Sequence, residues 1–194
     1  MAGSHRPRPW PRPVLPSHQR DLDAVILDDG ILEDGRGADL RAATGAEWRC
    51  VSDTVMGGVS SGQLRRTADA LHLSGTVSLE NNGGFVQMAL PLAPRGQMLD
   101  ATRFNALRLT VRGNDADYNL HLRSADMTAV WQSWRATFHA FPEWQEITLP
   151  FSQFTPHRTA LAFDPSRLTR LGLVAIGQVM VVDLHLARLE FLRV

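Results

Sequence analysis

Leu107–Arg123, LRLTVRGNDADYNLHLR, is the stretch that decides the fold. Leu107, Leu109 and Val111 alternate with Arg108, Thr110 and Arg112. Beyond Gly113-Asn114-Asp115, Tyr118, Leu120 and Leu122 alternate with Asn119, His121 and Arg123. A period of two puts every second side chain on the same face, so each half reads as a strand with one buried and one wet face. Such strands belong to antiparallel sheets. The pattern recurs at Leu71, Leu73, Val77 and Leu79, and again at Trp134, Ala136 and Phe138. Near the end, Met180, Val182, Leu184 and Leu186 keep one phase while Leu189 and Phe191 keep the other. A bulge near Ala187–Arg188 explains the slip, as does a strand buried on both faces. Helical signals are few: Asp164-Pro165-Ser166-Arg167-Leu168 offers an N-cap and a proline at the first helical position, with room for about one turn. Many strands separated by turns predict an all-β protein, a β-sandwich of jelly-roll type.

The 194 residues suit one domain with a tail, expected here as an arm over 1–20 and a sandwich over 21–194. Residues 1–20, rich in proline and arginine, read as an extended polyproline-like arm. Between Asp21 and Asp39 stand seven acids opposed only by Arg36. Over the whole chain, 20 basic and 20 acidic residues cancel, which removes the broad positive field of a nucleic-acid binder. All the basic residues are arginine. The single cysteine, Cys50, excludes an intramolecular disulfide. No apolar run reaches the ~20 residues of a membrane span. The prolines of the arm oppose the amphipathic helix of a transit peptide, and no signal-peptide core is seen, so a cytoplasmic, bacterial setting is the expectation.

Two glycine-rich segments supply the candidate site: Val51–Gly62 (VSDTVMGGVSSG), preceded by Trp48, and Ser78–Phe85 (SLENNGGF). The pairs Gly57–Gly58 and Gly83–Gly84 permit positive φ and close backbone approach. Asn82-Gly83 is also a dipeptide favoured in type I′ turns. Joined by the strand from Leu71, the two loops can converge at one rim of a sheet. The candidate binding residues are therefore Trp48, Asp53, Met56, Gly57, Gly58, Ser60, Glu80, Asn81, Asn82, Gly83, Gly84 and Phe85.

The run from Trp48 to Ser60, then Ser74-Gly-Thr-Val-Ser-Leu-Glu-Asn-Asn-Gly-Gly-Phe85, resembles the complex I intermediate-associated protein 30 family. Leu107–Gly113, Tyr118–Arg123 and Trp144–Pro156 are similar to later strands of that family, so the resemblance covers roughly Trp48 to Leu192. It implies a galactose-binding-like jelly roll and a non-enzymatic assembly-factor or chaperone-like role with a protein partner. Two departures stand out. Gly113-Asn114-Asp115 stands where that family tends to have a Gly-Asp-Gly turn, and His157-Arg158-Thr159 stands where an Arg-Gly pair is usual.

Weighed singly, the chemical motifs favour binding over catalysis. Gly58-Val-Ser-Ser-Gly62 matches a nucleophile elbow at Ser60, but that chemistry needs a helix after the serine, and Gln63–Leu73 reads as strand. Asp53 and Glu80 could form a glycosidase pair; beside glycine turns, such groups more often hydrogen-bond the local backbone. Seven histidines give no zinc spacing beyond Asp183-x-His185, so no metal or other cofactor is assigned, with a structural calcium left open. Trp134 shares the apolar face of its strand, whereas Trp131 and Trp144 are freer to stack on a sugar. A carbohydrate- or small-ligand-binding module is thus the alternative to the protein-binding reading.

Overall fold

A computed structural model describes residues 24–194; the arm expected over 1–20 lies outside them. The chain runs β1 (Ala24–Ile26), β2 (Ile31–Glu33), β3 (Arg49–Ser52), β4 (Ser61–Arg66), β5 (Leu71–Val77), β6 (Phe85–Pro91) and β7 (Met98–Asp100). It continues through β8 (Ala106–Gly113), β9 (Ala116–Ser124), β10 (Ser133–Ala140), β11 (Gln145–Pro150), β12 (Thr155–His157), β13 (Leu168–Ile176) and β14 (Met180–Leu192). Between strands, the helical pieces among the described residues are single 3₁₀ turns. One is the predicted turn at Pro165–Arg167, capped by the Asp164 carboxylate, which accepts from Ser166 N at 2.9 Å.

The strands form two sheets packed as a jelly-roll β-sandwich. One is eight-stranded, ordered β1-β7-β13-β9-β10-β12, with β6 also on β13 and β3 on β6. The other is six-stranded, ordered β11-β8-β14-β5-β4, with β2 on β14. Among the described strands only β1 and β7 pair in parallel. The alternation read from Leu107–Arg123 sorts faces as expected. Leu107, Leu109 and Val111 from β8 and Tyr118, Leu120 and Leu122 from β9 are fully buried in the one core between the sheets. Each such side chain contributes about 1.5–3 kcal/mol when taken out of water. The phase slip in β14 is a bulge: its register against β8 shifts between Leu186 and Arg188. Leu186 and Leu189 are thereby both buried.

Polar bolts fix the layers. Tyr118, on β9, donates its hydroxyl to Asn114 Oδ1 (2.7 Å) and accepts from Asp183 N on β14 (3.0 Å), tying sheet to sheet. Burial pushes its pKa up to about 12. Trp48 is fully buried, its Nε1 donating to Glu33 Oε2 at 2.9 Å. Glu33 is in turn paired with Arg66, Nη1 to Oε1 at 2.7 Å, both side chains almost wholly buried.

Candidate functional site

The two glycine segments meet on one carboxylate. Asp53 opens the 3₁₀ turn that follows β3 and is fully buried. Its Oδ1 accepts from Ser60 N (2.9 Å), and its Oδ2 accepts from Ser60 Oγ (2.5 Å), Gly84 N (2.5 Å) and Phe85 N (3.3 Å). Burial acts to raise the Asp53 pKa, but the bonds from Ser60, Gly84 and Phe85 outweigh it and hold the carboxyl below its ordinary value. Ser60 adds a second tie, accepting from Ser78 N at 2.9 Å. Asn81 adds a third, donating to Gly57 O at 3.3 Å.

Each glycine pair divides the labour. Gly57 (φ 87°) and Gly84 (φ 134°) hold left-handed or mirror-β backbone. Gly58 and Gly83 instead make room, since a Cβ at either would lie 2.3 Å and 2.4 Å from the Asp53 carboxylate. The second turn is displaced by one residue from the predicted Asn82-Gly83. Asn81 (φ 55°) and Asn82 (φ 56°) occupy its centre, closed by Gly83 N on Glu80 O at 3.0 Å, and Gly83 itself is extended. Asparagine tolerates the left-handed region, which frees Gly83 to pass against Asp53.

Trp48, Asp53 and Ser60 are therefore interior and shape the loops from beneath. Val55 and Met56 stand out into solvent, 70% and 56% exposed. Met56, Asn82, Gly83, Gly84 and Phe85 line one end of a groove of about 530 Å3 on the outer face of the eight-stranded sheet. Gly57, Gly58, Glu80 and Asn81 do not line it. The floor comes from alternate residues of β6, β13 and β9: Gln87, Gly172 and Val174, His121, Arg123 and Arg170. The far wall is the β9–β10 connection with Trp131 (55% exposed), His157 at the end of β12 and Arg158 just after it. Trp134 is core, donating Nε1 to Leu161 O at 3.0 Å. Trp144 lies on the other sheet, under the Arg112 guanidinium at 5.1 Å.

Sequence reading missed the floor, because His121, Arg123 and Arg170 appeared there simply as the wet positions of strands. The groove gathers them only through sheet register: Arg170 faces Arg123 across β13 and β9, and Gly172 faces His121. Among the described residues no acidic one lines the groove. Arg123 Nη1 donates to the carbonyls of Ala129 (2.8 Å), Val130 (2.6 Å) and Gln132 (2.7 Å), so it shapes the connection carrying Trp131.

Catalytic readings fare poorly here. Ser60 runs into β4, not a helix, and its hydroxyl is engaged by Asp53 and Ser78. Asp53 has a lowered pKa, opposite to a glycosidase acid. Its oxygens face N–H and O–H donors, which would repel a calcium ion. In the groove Ser133 Oγ lies 3.1 Å from His121 Nδ1. Yet burial, His157 and Arg135 push the His121 pKa down to about 3, far from a useful base, and its Nε2 is buried with no hydrogen-bond partner among the described residues.

Across the molecule, on the outer face of the six-stranded sheet, Asp183 and His185 are joined by His72, whose register places it opposite His185. The third donor was invisible in the sequence because it comes from β5. His72 Nδ1 accepts from Arg65 Nε at 3.1 Å, so Nε2 carries the proton and donates to Asp183 Oδ1 at 2.7 Å. That tautomer offers a metal no lone pair.

Residues 39–185 match the family described as Complex I intermediate-associated protein 30. The chain belongs to that family. No curated protein sequence matches it. Among solved structures, it is similar to the family 11 carbohydrate-binding module of a cellulosomal cellulase of Clostridium thermocellum. That likeness has a TM-score of 0.65 and 14% identity, covering 87% of this chain and 96% of that one. A family 11 module from Clostridium thermocellum in complex with a beta-1,3-1,4-mixed-linked tetrasaccharide gives 0.63 and 13%, covering 85% and 95%. A family 29 module from Piromyces equi gives 0.53 and 6%, covering 83% and 87%. At these identities the likeness establishes the fold, the galactose-binding-like jelly roll. The two segments set apart in the sequence, Gly113–Asp115 and His157–Thr159, each carry a non-glycine residue of positive φ. Asp115 (φ 60°) and Arg158 (φ 53°), one in each of those two segments, hold left-handed backbone. Among the described residues no helix is long and apolar enough to cross a membrane.

Proposed function

We propose that this protein is a non-catalytic binding protein of the assembly-factor or chaperone type. It would hold a protein subunit or assembly intermediate of a respiratory, complex I-type or other multisubunit complex in the groove on its eight-stranded sheet. The supporting observation is the groove itself, about 530 Å3, walled by both glycine loops and rimmed by exposed Met56 and Trp131. Membership of a family described by its association with complex I intermediates supports the choice of partner. The loops are braced from below by Asp53, so their outward backbone is preorganised, which lowers the ordering cost of capture.

Carbohydrate binding is the second reading, favoured by Trp131, whose exposed ring at the rim could stack on a pyranose. Photo-crosslinking separates the two. A benzoylphenylalanine at position 131 should capture a protein in cells of the source organism, while one at position 144, on the opposite sheet, should not. Equal capture from both positions, or none from 131 alongside retention on a glucan matrix, would remove the protein-binding reading.

A further inference from the structure

The groove concentrates positive charge in a chain whose total is zero. Among the described residues three arginines, Arg123, Arg158 and Arg170, line it together with two histidines, and no carboxylate does. Arg123 and Arg170 sit directly opposite one another in antiparallel register, an arrangement that destabilises a sheet when like charges face. Among the described residues, neither has a carboxylate within salt-bridge distance. Burial holds the pKa of both below the ordinary arginine value, and for Arg123 the neighbouring Arg170 adds to the effect. Between them and the glycine loops, His121 presents a buried Nε2 with no partner among the described residues. Opposite it, Gly172 leaves the floor open beside the Gln87 amide. Arg158 adds its charge from a left-handed backbone that a non-glycine residue adopts at a cost.

We infer that the Arg123–Arg170–His121 end of the groove is a subsite for a carboxylate, occupied by an acidic side chain of the protein partner while an apolar neighbour packs on Trp131. The inference rests on the groove being the partner site. A carboxylate placed there relieves the arginine–arginine repulsion and offers oxygens for the bidentate geometry of a guanidinium. It also provides an acceptor for His121, whose ring stays neutral and donates Nε2–H when Nδ1 takes the Ser133 hydroxyl proton. Two desolvated cations lacking an anion are expensive, whereas the same pair around an anion becomes a specificity device.

The test uses the full chain and two blocked peptides, acetyl-Gly-Leu-Glu-Leu-Glu-Gly-amide and its glutamine counterpart, titrated by calorimetry. The glutamate peptide should bind at least about tenfold tighter than the glutamine peptide, a gap equal to 1.4 kcal/mol, and should weaken as salt is raised. Arg170→Gln and Arg158→Gly should each lose that preference without melting lower than wild type, because one relieves like-charge repulsion and the other a strained φ. A merely structural arginine would lower the melting point. Equal binding of both peptides, no binding of either, or preference for a neutral mixed-linked tetrasaccharide would each overturn the carboxylate subsite. Crosslinking from position 131 would remain in the first two cases if only the chemistry of the subsite is wrong, and would be absent if the groove is not the partner site.

Discussion

Asp53→Asn should unlock the loops while leaving the sandwich folded. The amide keeps the shape of the carboxylate and its Oδ1, which still accepts from Ser60 N. In place of Oδ2 it sets an NH2 group against the N–H donors of Gly84 and Phe85. One buried and one half-buried backbone donor then lose their acceptor, at about 1–3 kcal/mol each. Taking ~1.5 kcal/mol for each gives a loss of ~3 kcal/mol, or a melting point lower by roughly 6–12 °C for a protein of this size. Differential scanning calorimetry reads this directly. The pH dependence is a second readout. The wild-type carboxyl has a pKa lowered below that of an unfolded aspartate, about 3.9, so its contribution is complete above that value and vanishes as pH falls through the folded pKa. The gap between variant and wild type should be full near neutral pH and shrink towards pH 3. A variant melting within about 1 °C of wild type, or a gap independent of pH, would refute Asp53 as the hub of the two loops.

Gly58→Ala and Gly83→Ala push a methyl group into the Asp53 carboxylate and should each lower the melting point more than Gly57→Ala. The Gly57 Cβ would meet open space and costs only the strain of its φ, about 1 kcal/mol. Arg66→Met strands Glu33 as a buried lone charge beneath Trp48 and should cost about 3–5 kcal/mol in chemical denaturation. In an NMR titration, His121 should stay neutral down to about pH 3, whereas His139, between Asp115 and Asp117, titrates above the ordinary histidine value. Because the unfolded chain binds that His121 proton near pH 6.5, it contributes a loss of stability as pH falls from about 6.5 to 3.

The sheets were legible because a period of two is a local signal. Leu107–Arg123 names its own inward face, and the slip at Ala187 left a bulge or a doubly buried strand, between which the register shift of β14 against β8 decides for the bulge. The convergence of the glycine segments was also legible, since paired glycines beside an aspartate have few other uses. That Gly58 and Gly83 serve space, and Gly57 and Gly84 conformation, was hidden, because it depends on where a side chain from another turn comes to rest. The arginine floor was hidden for a different reason. Arg123 and Arg170 lie 47 positions apart, and only the pairing of β9 with β13 sets them opposite one another. His72 joined Asp183 and His185 by the same long-range route.

Backbone amide hydrogen exchange, on the full chain with and without the partner captured at position 131, tests the central claim most directly. Binding in the groove should slow exchange in the turns Asp53–Met56 and Glu80–Asn82 and in the connection bearing Trp131, with the β11 edge unchanged. Protection confined to β11 and β8 around Trp144, with the glycine loops exchanging as in the free protein, would contradict it.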